Sequence, residues 1–129
     1  MNIMIVEDES SLRDLAVECI DNFFDRRGEE ANIYPAKNDV EAKQIIDEKS
    51  IDFVLMDMIL MGEDGKTVDV RKLIKYIKGK NSNIKVVAVT GEVDRRVIDV
   101  CLQEKIIDVL RYKPVFYDEV IKNNCIGEN

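Results

Sequence analysis

Four largely apolar runs divide the chain, and each stops on a polar group. Ile3-Met4-Ile5-Val6 ends on Glu7 and Asp8, and Phe53-Val54-Leu55-Met56 ends on Asp57. Val86-Val87-Ala88-Val89 ends on Thr90, and Val109-Leu110-Arg111-Tyr112 ends on Lys113. Runs this short and this apolar read as strands covered by other elements. Between them, apolar residues recur at helical spacing. Alternation of the two patterns along the chain predicts an α/β domain built on a parallel sheet.

The first strand is predicted over residues 2–6. Ser10 or Ser11 is placed to cap a helix with the stripe Leu12, Leu15, Ala16, Cys19, Ile20 and Phe23, ending near Arg27-Gly28. A more polar strand, Ala31 to Tyr34, suits a sheet edge. Asn38 or Asp39 caps a helix to about Glu48, strand three is Phe53 to Met56, and a loop covers Asp57 to Gly65. Val70, Leu73, Ile74 and Ile77 mark the third helix, with Gly79 suited to terminate it. Strand four is Ile84 to Val89, a helix carries Val97, Val100 and Cys101, and strand five lies near Asp108 to Tyr112. The last helix starts after Lys113-Pro114 and uses Val120 and Ile121. Five βα units thus fill residues 1–129 as a single expected domain, with no repeat, low-complexity stretch or linker.

Strands one, three and four are unbroken apolar runs, as expected in the middle of a doubly wound sheet, and the more polar strands two and five should flank them. This predicts the flavodoxin-like (βα)5 order 2-1-3-4-5, whose switch point lies between strands one and three. Ligands of open α/β sheets bind outside the strand carboxyl ends at that point. Glu7, Asp8 and Asp57 are the residues placed there. Alone, Glu7 and Asp8 read as acids favouring a helix N-terminus, Thr90-Gly91 as a strand exit, and Lys113 equally well as a solvated loop lysine. Their joint placement is what points to a site.

A chain of 129 residues with 46% hydrophobic content supports one real core. A formal net charge of −7 argues against binding nucleic acid or anionic membrane through a basic surface. No apolar run approaches the roughly 18 residues of a membrane span, and no signal-like segment opens the chain, so a cytoplasmic protein is expected. Cys19, Cys101 and Cys125 are far apart with no CxxC pair, and the first two fall on apolar stripes as small hydrophobes. The chain has no histidine, so it cannot be its own phosphohistidine donor.

Three carboxylates gathered within a few ångströms repel one another. At an effective dielectric of about 20, each pair about 4 Å apart costs on the order of 4 kcal/mol, so a proton, a lysine or a metal must neutralise them. A hard cation with oxygen ligands fits best. Mg²⁺ takes one or two carboxylates and keeps waters that phosphate oxygens can replace. Without histidine or paired cysteines, the donor set argues against zinc.

Glu7-Asp8, Asp57, Thr90 and Lys113-Pro114, in this order on successive strand ends, resemble the receiver domain of two-component response regulators. The resemblance covers essentially the whole chain, including Asn38-Asp39-Val40-Glu41-Ala42 after strand two and Asp64-Gly65 after the acceptor. It implies that Asp57 accepts a phosphoryl group, with Mg²⁺, from a sensor histidine kinase, a phosphotransfer protein or a small phosphodonor. It further implies Asp8 and Asp57 as direct metal ligands, Glu7 acting largely through water, and the Ile59 carbonyl completing the set. Lys113 would engage one phosphate oxygen and Thr90 another; the Lys113-Pro114 bond is usually cis in such domains. Movement of Thr90 toward the phosphoryl group would repack the face between strands four and five and present it to a downstream effector. By this resemblance the chain at most catalyses its own phosphorylation and dephosphorylation. No DNA-binding or catalytic segment follows the last helix, so a stand-alone receiver acting through protein contacts, without nucleic acid or membrane, is expected.

Some positions depart from the receiver pattern. Met61 stands where receivers usually carry proline, which predicts a looser loop, and Gly91 replaces a common alanine, which opens room near the site. Leu110 occupies the place of a switching aromatic, which keeps open a receiver-like scaffold that signals without phosphorylation. Ile59 and Glu92 match positions that tune dephosphorylation. The apolar bulk of Ile59 is expected to hinder the attacking water, so phosphate release should quicken in Ile59→Asn; an unchanged rate removes the idea. Two other classes fit less well. A haloacid-dehalogenase-like phosphatase needs an acid where Ile59 stands. A nucleotide or flavin binder needs a Gly- or Ser/Thr-rich loop where Glu7-Asp8-Glu9 would repel phosphate.

Overall fold

Asn2–Val6 (β1), Asn32–Ala36 (β2), Phe53–Asp57 (β3), Lys85–Thr90 (β4) and Val109–Tyr112 (β5) pair side by side in the computed structural model, which describes residues 1–91, 99, 101–104, 107–112 and 116–125. Every strand pairing is parallel, and the sheet order is β2-β1-β3-β4-β5. This is the flavodoxin-like order expected from apolar continuity. Helices Ser10–Arg26 (α1), Asp39–Glu48 (α2) and Val70–Lys80 (α3) connect the first strands. Tyr117–Val120 (α4) runs on into a π-helical turn, Ile121–Cys125. Of the helix expected to carry Val97, Val100 and Cys101, only residues 99 and 101–103 are described, and they are helical. Among the described residues, no helix is long and apolar enough to cross a membrane.

Period-two alternation splits the strand side chains between two cores. Met4, Val6, Val54, Met56, Val86 and Ala88 pack with α2 and α3 residues such as Ile46, Leu73 and Ile77. Ile3, Ile5, Phe53, Leu55, Val87 and Val89 face the other way, onto Ala16, Ile20 and Phe24 of α1 and Tyr117 and Val120 of α4. Burial on both faces explains why the three central strands are unbroken apolar runs.

Several local expectations are corrected. Helix α1 has Glu9, not Ser10 or Ser11, at its N-cap, and Ser11 Oγ donates to Glu9 Oε1 at 2.9 Å. Its buried stripe is Ala16, Ile20 and Phe24, while Leu15 is 48% exposed. β2 begins and ends later than expected and includes Pro35, which an edge strand tolerates. Of the two expected caps of α2, Asn38 or Asp39, the first is borne out: the Asn38 side chain accepts from the Glu41 N–H at 2.9 Å. Gly79 lies inside α3, which continues to Lys80.

Candidate functional site

Glu7 follows β1 with the same side-chain parity as Ile3 and Ile5, and Asp57 closes β3 in step with Phe53 and Leu55. The β1–β3 register pairs Val6 with Met56, which sets the two acids beside each other at the carboxyl edge. Asp8 joins them: one carboxylate oxygen from each of Glu7, Asp8 and Asp57 lies within 4.8 Å of the others. Glu7 and Asp57 are buried and Asp8 is exposed. Beneath them a small void is lined by Ile5, Ala16, Leu55, Val89 and Tyr117. The site therefore has an apolar floor and an open rim.

Main-chain groups hold this edge in place. The Glu7 N–H donates to the Ala36 carbonyl at 3.0 Å, and the Met58 N–H to the Val89 carbonyl at 3.2 Å. The Ile59 N–H donates to Asp57 Oδ1 at 3.1 Å, fixing one oxygen of that carboxylate, while the Ile59 side chain is half exposed. Arg13, in the first turns of α1, reaches back so that its Nη1 donates to the carbonyls of Glu7 at 2.9 Å and Asp8 at 3.3 Å. The Met61 N–H donates to Asp8 Oδ2 at 3.3 Å. Neither Arg13 nor the Met61 N–H emerges from the sequence reading. The one cation closely following three consecutive acids, Glu7-Asp8-Glu9, is the signal that marks Arg13.

Thr90 ends β4 one residue beyond the Asp57–Val89 rung. It is wholly buried, and its Oγ1 has no hydrogen-bond partner among the described residues. Such a hydroxyl is costly unless something else comes to pair with it. Gly91 is exposed, and a Cβ there would meet nothing within 4 Å. Lys113, Pro114 and Glu92 lie outside the described residues. β5 brings the backbone up to Tyr112 on the rung with Thr90.

The loop after Asp57 is cross-tied rather than loose. Met61 bridges Thr67 in antiparallel fashion, the Gly62 N–H donates to the Lys66 carbonyl and the Val68 N–H to the Leu60 carbonyl, each at 2.8 Å. Gly65 turns the chain at φ +77°, a conformation that favours glycine.

The donor set suits a hard divalent cation. All three converging groups are carboxylates, and an opposite charge among them would offset their mutual repulsion. Cys19 is partly buried and Cys101 buried, both as free thiols. Burial pushes both thiols up, which suits packing rather than metal or redox chemistry.

The sequence profile of the response regulator receiver domain matches residues 3–123, and the chain belongs to that family. Comparison with curated protein sequences finds no match. Among solved structures, a CheY-like receiver domain protein from Methanospirillum hungatei superposes with a TM-score of 0.71 at 19% identity, covering 95% of this chain and 88% of that one. A LuxR-family DNA-binding response regulator from Staphylococcus aureus gives 0.77 at 23% identity, over 99% and 98% of the two chains. A Burkholderia pseudomallei response regulator, solved with a phosphorylated aspartic acid, a calcium ion and citrate, gives 0.74 at 17% identity, over 94% and 64%. At these identities the likeness is one of fold.

Proposed function

We propose that this receiver domain, one unit over residues 1–129, is a phosphorylation switch whose acceptor is Asp57. The observation that carries the reading is the convergence of three carboxylate oxygens within 4.8 Å at the sheet's switch point. Glu7, Asp8, Asp57 and the Ile59 carbonyl would hold Mg²⁺. When bound, that ion neutralises the acidic cluster and stabilises charge on a transferring phosphoryl group.

The chain's own residues supply the rest. One oxygen of Asp57 is held by the Ile59 N–H, so the carboxylate is oriented for attack on phosphorus. As the new P–O bond forms, the donor's P–N bond breaks and its electron pair stays on the imidazole, which takes up a proton. With acetyl phosphate the P–O bond breaks and acetate leaves. The buried Thr90 hydroxyl donates to one oxygen of the phosphoryl group on Asp57, and Lys113 supplies a positive charge to another. The gain from pairing Thr90 biases a two-state equilibrium, so the face around β4 and β5 changes only when Asp57 is modified.

The donor is a sensor histidine kinase or a phosphotransfer protein, and the output is a surface read by an effector protein in the cytoplasm. The Burkholderia pseudomallei neighbour supports the chemistry, since a related fold holds a phosphorylated aspartate together with a divalent cation. The net charge of −7 supports an output through protein rather than nucleic acid. Incubation with acetyl phosphate should yield phosphate on the protein that requires Mg²⁺ and is released by hydroxylamine, as an acyl phosphate is. Incorporation that survives hydroxylamine, or proceeds equally in EDTA, contradicts the reading.

A further inference from the structure

We infer that the backbone N–H of Met61 is a positioning group for Asp8, through which the loop following the acceptor is coupled to ion binding. The inference rests on the proposal that the acidic cluster holds Mg²⁺. Asp8 is the exposed member of the cluster, and an exposed carboxylate turns freely unless something holds it. Its backbone carbonyl is gripped by Arg13, and its Oδ2 accepts the Met61 N–H. A carboxylate with one oxygen engaged in this way keeps its second oxygen for an ion, at a fixed orientation.

The loop is built to present that donor. Around the Met61–Thr67 bridge, the ladder bonds are made by the N–H groups of Gly62 and Val68, to the Lys66 and Leu60 carbonyls. These flank Met61 and leave its own N–H directed away from the ladder, to Asp8. Leu60 is fully buried and anchors the base of the loop. Gly62 allows its close approach, since a Cβ there would lie 3.1 Å from Asp64 Oδ1 and 3.3 Å from the Lys66 carbonyl oxygen. The Met61 side chain is half exposed, so the backbone donor rather than the thioether carries the function.

Met61→Pro removes the donor while leaving the ladder bonds of Gly62 and Val68 in place, and Met61→Ala keeps it. Titration of Mg²⁺ by calorimetry should show the alanine variant binding like wild type. The proline variant should bind about three- to tenfold more weakly, the range that one hydrogen bond to a solvent-accessible charged group supports. Equal or tighter binding by the proline variant overturns the inference while leaving the Mg²⁺ reading intact; no binding by wild type overturns both. Because the proline variant can fail to fold, the wild-type Met61 amide provides a second readout in ¹⁵N–¹H spectra. Its hydrogen exchange should be slow, slower still with Mg²⁺ because coupling is reciprocal, and fast in Asp8→Ala, which removes the acceptor. Exchange that ignores both the ion and Asp8→Ala overturns the inference.

Discussion

Thr90 carries a cost in the unmodified domain. Its hydroxyl is fully buried and has no hydrogen-bond partner among the described residues, and such a group costs roughly 1–3 kcal/mol. Thr90→Val keeps the shape and discards the polar atom. It should raise the unmodified protein's stability by about 1 kcal/mol, read from the urea midpoint. It should also remove the stabilisation that phosphorylation gives the wild type; a lower midpoint, or the same gain on phosphorylation, contradicts the assigned role. Much of the site is legible at this scale. Glu7, Asp8 and Asp57 terminate apolar runs, and strand parity brings Glu7 and Asp57 to one face. Two contributors are not read from the pattern of apolar positions. The Met61 N–H is a main-chain donor that every residue except proline possesses, so no letter in the sequence marks it. Arg13 acts by folding back onto the Glu7 and Asp8 carbonyls, and apolar periodicity says nothing of where a polar side chain reaches.

Helix α1 shows where periodicity runs out. Leu12, Leu15, Ala16, Val17, Cys19, Ile20, Phe23 and Phe24 are apolar around much of its circumference, so spacing alone cannot set the phase. The sheet chose Ala16, Ile20 and Phe24, leaving Leu15 at the surface. Small Ala16 faces the void below the carboxylates, which lets the helix approach the strand ends. Helix α3 was read correctly by its apolar residues, but its polar work was invisible. Lys78 Nζ donates to the Ile84 carbonyl and to Asp108 Oδ2, and that same oxygen accepts the Val86 N–H at 2.7 Å, which pins the entry to β5 against β4. Arg71 and Lys75 of α3 both pair with Glu104. Arg71 first, then Lys75, holds the Glu104 carboxyl below the usual carboxylate range. A folded-state value below the unfolded one gives stability that is present above the unfolded value, about 4.3, and lost as pH falls through the folded one. Glu104→Gln should therefore destabilise the domain at neutral pH, with the difference from wild type shrinking on acidification below about pH 4. A difference that is constant across that range contradicts the pairing.

At the scale of the whole molecule, strand order was legible because burial on both faces demands unbroken apolar strands, and β1, β3 and β4 are such runs and lie side by side in the sheet. The same topology concentrates negative charge at one edge of a protein already at −7. An ion that binds there binds only the folded chain, so it stabilises by mass action. At ten times its dissociation constant, Mg²⁺ should raise the melting temperature by about 5 °C. Asp57→Asn, by relieving repulsion, should melt higher than wild type in EDTA and gain less from the ion; the reverse order contradicts the cluster's role. The central claim is that Asp57 itself is modified. Intact-mass spectrometry after treatment with acetyl phosphate and Mg²⁺ tests it most directly. The wild type should gain one phosphoryl group while Asp57→Asn and an EDTA control gain none; a mass gain that persists in Asp57→Asn would contradict the account.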